Sequence, residues 1–98
     1  MKRETIYTIT TMTNLRPDHE LRCVGWFKTV IEASLTIKGN YCDIWEGDNN
    51  YAVVEEFSFG LYPHPIREIW FKWDKDKGQY AEIEKPKEVA NLINFGIG

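Results

Sequence analysis

Residues 57–73 read Phe57-Ser-Phe-Gly-Leu-Tyr-Pro-His-Pro-Ile-Arg-Glu-Ile-Trp-Phe-Lys-Trp73. Pro63 and Pro65 remove two backbone donors and hold the chain extended, so residues 60–65 read as a loop. Either side of it the sequence alternates. Upstream, Tyr51, Val53, Glu55, Phe57 and Phe59 alternate with Ala52, Val54, Glu56 and Ser58; downstream, Ile69, Phe71 and Trp73 alternate with Ile66, Glu68, Trp70 and Lys72. Side chains on a strand point to opposite faces in turn, so this spacing predicts strands over 51–59 and 66–74.

Outward from this pair, residues 74–78 form a polar turn ending in Gly78, and a strand over 79–84 closes a hairpin. Pro86 suits the first turn of a helix, and Val89, Ala90, Leu92 and Ile93 suggest a short C-terminal helix, followed by an apolar tail that docks on the body. Towards the N-terminus, residues 5–13 are rich in Thr, Ile and Tyr and predict a strand. A turn around Pro17 separates it from a strand over 21–27, with Leu21, Cys23, Gly25 and Phe27 on one face and Arg22, Val24 and Trp26 on the other. Thr29-Val-Ile-Glu32 fits a capping box, in which the Thr29 hydroxyl accepts the Glu32 N–H and the Glu32 carboxylate reaches back. Val30, Ala33 or Ser34, and Ile37 then share a stripe at helical spacing, with Ile31 and Leu35 beside it, and Gly39 supplies the left-handed position that commonly stops a helix. These define a helix over 30–38. Residues 41–46 read either as a helical turn or as a short edge strand, and residues 47–50 as a turn.

The order is one α+β domain spanning 1–98: a mostly antiparallel sheet of about five strands, with the capped helix and the C-terminal helix packed on one face. Such a sheet leaves its other face open to water or to a partner.

Composition narrows the function. The net charge is −3 and no basic run exceeds Lys2-Arg3, which argues against a duplex nucleic-acid binder. Cys23 and Cys42 are too few for a secreted disulfide scaffold and read as buried or half-buried thiols in a reducing cytoplasm. The N-terminus lacks a signal-peptide pattern, and no stretch approaches the ~20 apolar residues of a membrane span.

The chemistry-bearing residues form no recognisable centre. His19, His64, Cys23 and Cys42 have no metal-ligand spacing, and Asp74-x-Asp76-x-Gly78 lacks the remaining ligands of a calcium loop. No nucleophile motif surrounds Ser34 or Ser58, and no glycine pattern cradles a phosphate. The expectation is therefore a non-enzymatic protein with no catalytic residues, metal or cofactor. Glu55 shares a face with Val53 and Phe57; if that face is core, it needs a partner such as Arg67 or Lys72, or a raised pKa.

The remaining signal is aromatic. Residues 57–73 hold three Phe, two Trp and one Tyr, more ring surface than so short a chain buries easily. Trp70 lies between Glu68 and Lys72 on its face, as an interface centre with a polar rim would. Tyr62, His64, Arg67, Trp70 and Lys72 are the expected partner-binding residues. A pocket between sheet and helix lined by Tyr51, Glu55, Tyr62 and Trp70 would instead take a nucleotide-like ligand.

The run from Arg22 to Thr29, with Ala33, Asn40, Asp43-Ile44, residues 51–55, Gly60-Leu-Tyr-Pro63 and Trp70-Phe-Lys-Trp-Asp74, resembles small uncharacterised proteins of bacterial phages and mobile elements. That resemblance carries no catalytic residues. It implies a cytoplasmic protein that binds and blocks a host protein, such as a bacterial defence or regulatory factor. Self-association as a homodimer, or a structural role in a phage particle, fits the same features.

Overall fold

The structure, a computed structural model, describes residues 5–13, 15, 21–39, 50–58, 65–90 and 95. Five stretches of alternating, β-branched or aromatic residues form strands: β1 (Thr5–Met12), β2 (Leu21–Phe27), β3 (Tyr51–Ser58), β4 (Arg67–Asp74) and β5 (Gln79–Ile83). They make one sheet in the order β2-β1-β3-β4-β5, every neighbouring pair antiparallel. Because β2 and β3 both run against β1, the segment between them crosses from one side of β1 to the other. The helix α1 (Val30–Lys38) lies in that crossover.

α1 starts where the sequence places it and ends at Gly39, which is right-handed at φ −82° and not in the expected left-handed position. Thr29 is extended and its hydroxyl accepts the Glu32 N–H at 3.2 Å. The Glu32 carboxylate accepts the Thr29 hydroxyl proton at 3.1 Å, so the reciprocal bond goes to the side chain and not to the backbone. Thr29→Ala removes the cap and should cost about 1 kcal/mol in denaturant unfolding. The β4–β5 turn is closed by Gly78 N–H on the Asp74 carbonyl, while Asp74 Oδ1 accepts the amides of Asp76 and Lys77. Gly78 sits at φ 64°, where a Cβ is disfavoured.

Two cores result, one on each face of the sheet. On the first, Ala33 and Ile37 of α1 pack on Ile9, Ala52, Val54, Phe71 and Tyr80. Trp73 and Tyr80, opposite each other in register, meet edge to face at 5.1 Å. On the second, Met12, Val53 and Trp70 pack with Val89 and Phe95. Val53 and Val54 are sequential, and so are Trp70 and Phe71, so the two clusters lie on opposite faces.

This corrects the expectation of helices on one face and an open face behind. The C-terminal segment covers the face away from α1. Its described residues include a 3₁₀ turn (Lys87–Val89) after an extended Pro86; Leu92 and Ile93 of the expected helix lie outside the described residues. The alternatives for 41–46 also lie outside them.

Burial pushes the Tyr80 phenol from 10.0 up to about 12. Its neutral form is the one the folded core accepts. Stability should be full below pH 10 and fall as the pH rises towards 12, by on the order of 2–3 kcal/mol. Urea unfolding across that range measures the slope, and Tyr80→Phe should flatten it.

Candidate functional site: the β2 edge and a groove at the β4–β5 end

The expected site residues divide sharply. Tyr62 and His64 lie outside the described residues. Trp70 is 1% exposed and belongs to the second core. Its ring meets Phe95 edge to face at 5.2 Å, and its indole N–H donates to Glu68 Oε1 at 3.0 Å. Glu68 Oε2 in turn holds Lys85 at 3.1 Å, and the Lys85 ammonium lies over the Phe95 ring. Glu68, one of the two charged neighbours that make Trp70 look like an interface centre, instead satisfies its polar edge, and with Lys85 helps hold Phe95 over it. Trp70 is therefore withdrawn from the partner surface.

Arg67 is exposed and pairs with Glu56 across the strands at 3.3 Å. Lys72 is exposed and stands 5.8 Å over the Tyr51 ring. Glu55 is fully buried, between Thr8 and Glu68 in register, on the second face. It lies away from α1, so the pocket expected between sheet and helix does not draw Tyr51, Glu55 and Trp70 together there.

Among the described residues, an exposed ring lies elsewhere. Trp26 on β2 is 63% exposed, with Val24 beside it at 40%. Among the described residues β2 is an edge strand, so one row of its N–H and C=O groups has no described strand beside it. A bulge alters its faces: Gly25 opposes Ile9 but Cys23 opposes Thr10, leaving Val24 as the extra residue. Thr8 and Thr10 share a face, so Trp26 opposite Thr8 and Cys23 opposite Thr10 share it too. The simple alternation that separates Cys23 from Trp26 fails at this point. Cys23 carries a free, exposed thiol, contrary to the expected burial; Cys42 lies outside the described residues.

On α1, Ile31 and Leu35 are 68% and 57% exposed and point away from the sheet. They are one turn apart and form a small apolar ridge.

On the face away from α1, a groove of about 660 Å³ runs past Tyr51, Lys72, Lys75, Ala81 and Ile83, with Thr13 and Asn50 at its rim. Asn50 is pinned there: its side-chain amide donates to the Thr13 carbonyl at 2.9 Å, and its own carbonyl accepts the Trp73 N–H at 2.8 Å. Tyr51 and Lys72 are expected site residues that the groove does bring together. Lys75, Ala81 and Ile83 carry no sequence signal of a site, since the groove arises from the pairing of three strands.

Among the described residues no group of three or more His, Cys, Asp or Glu is placed to hold a metal, and no helix is long and apolar enough to cross a membrane. No family model, curated protein or solved structure matches the chain significantly. The described residues form a small α+β domain built on a five-stranded antiparallel sheet with one α-helix.

Proposed function

We propose that this protein is a non-enzymatic binding module that takes a segment of a partner protein at the β2 edge, with Trp26 as its anchor. The observation that carries the reading is the 63% exposure of Trp26 on an edge strand. Open backbone groups recognise another extended backbone, and a large amphipathic ring beside them supplies the apolar contact that fixes it. The bulge at Val24 switches the face parity between Cys23 and Gly25, so beyond it an added strand keeps one register only along Gly25–Phe27. A short, Trp-anchored pairing is the form such an interface takes here.

The exposed thiol of Cys23 suits a reducing compartment, in keeping with a cytoplasmic protein. The partner implied by the sequence resemblance is a bacterial defence or regulatory factor, the protein itself being of phage or mobile-element type.

Amide hydrogen exchange of the complex with its co-purified partner tests the reading. Slowed exchange confined to β2 supports it. Protection centred on β5 or on the Ile31–Leu35 ridge, with β2 unchanged, overturns it. A homodimer protected along β2 would make the partner a second copy.

A further inference from the structure

We infer that the groove beside Tyr51 and Lys72 is a binding site for a small anion carried on a flat ring, of which a nucleoside monophosphate is the simplest form. The site is separate from the proposed protein surface, because β4 and β5 stand at the opposite side of the sheet from β2.

Tyr51, Lys72 and Ala81 stand side by side across β3, β4 and β5 on one face, with Ile83 further along β5. A large ring, a long cationic side chain and a methyl group follow one another. The small Ala81 leaves the depression, and Tyr51 and Ile83 give it apolar walls. Its volume of about 660 Å³ lies in the range of small-ligand pockets.

The charge comes from Lys72 and Lys75. Neither makes a salt bridge among the described residues; Arg67 and Lys85 do. Lys72 is held near the Tyr51 ring at 5.8 Å, so cation and ring are offered together. Asp74 also borders the groove, but its Oδ1 accepts the amides of Asp76 and Lys77 and fixes the turn. Two ammonium groups against the one Asp74 carboxylate leave the groove a net positive lining, and ammonium groups are point donors suited to phosphate oxygens. A ring seated against the apolar walls of the groove carries an attached phosphate to the lysines that border it. An uncharged ring would leave both cations unanswered, and free phosphate would leave the apolar walls unused.

Titrations of the intact protein with adenosine monophosphate, adenosine and inorganic phosphate, followed by backbone amide NMR shifts, test this. Adenosine monophosphate should saturate with a dissociation constant on the order of 10–1000 μM, moving the amides of Tyr51, Lys72 and Lys75, while adenosine and phosphate each bind at least about tenfold more weakly. The doubly substituted Lys72→Gln, Lys75→Gln protein, altered only at exposed positions, should lose about tenfold in affinity for the monophosphate and nothing for adenosine. Arginine at both positions should restore binding. Three results overturn the inference: no saturation by roughly 10 mM, shifts mapping away from the groove, or equal affinity of the glutamine variant. Adenosine binding as tightly as its phosphate would likewise remove the anion from the site.

Discussion

Trp70→Ala should destabilise the protein by about 3–5 kcal/mol, as large-to-small changes of buried aromatic residues do. The indole is 1% exposed and shares a cluster with Met12, Val53, Val89 and Phe95. Truncation opens a cavity beneath the C-terminal segment and removes the edge-to-face contact with Phe95. It also leaves Glu68 without the indole donor. A domain of this size is stable by roughly 5–15 kcal/mol at most, so a large share is lost. At roughly 4–8 °C per kcal/mol, the thermal transition should fall by tens of degrees or lose its cooperativity. Trp70→Phe separates the two terms. It keeps most of the ring and should cost less, chiefly the hydrogen bond to Glu68. A Trp70→Ala protein with an unchanged melting temperature and lost partner binding would instead return Trp70 to the surface.

Trp26→Ala should do the reverse. Its ring is largely in water, so truncation should change unfolding free energy by under about 1 kcal/mol, within the range of strand propensity and ordinary surface substitutions. Partner affinity should fall by at least about 2 kcal/mol, some thirtyfold, as for an aromatic anchor at an interface centre. Calorimetric titration beside a thermal melt reads both quantities. Arg67 provides the contrast. It is exposed and already paired with Glu56, and Arg67→Ala should leave affinity within about twofold.

Much of the fold is legible in the chain because its signals are local. Alternation marks the strands, the Thr29–Glu32 pair marks the start of α1, and Gly78 marks the last hairpin. What the chain does not show locally is strand order. Whether the strand over residues 21–27 lies at the edge or in the centre depends on the crossover that sets β3 against β1. Trp26 therefore carries the same local signature whether it is buried or free. The bulge is hidden for a related reason: one extra residue shifts a face without disturbing the composition of the strand. Trp70 misleads for a third reason. Its neighbours Glu68 and Lys72 look like a polar rim, yet Glu68 turns to the Trp70 indole and to Lys85. The cover over Trp70 comes from Val89 and Phe95, nearly twenty residues or more along the chain, and no periodicity announces which face they will take. The groove is likewise a product of pairing, since Tyr51, Lys72 and Ala81 become neighbours only through register.

Oxidative footprinting of the tryptophans with N-bromosuccinimide, free and in complex, tests the central claim most directly. The account predicts that in the free protein Trp26 reacts well before Trp70, and that the partner then shields Trp26. Trp70 reacting as fast as Trp26 in the folded protein, or Trp26 reacting equally in the complex, would contradict it.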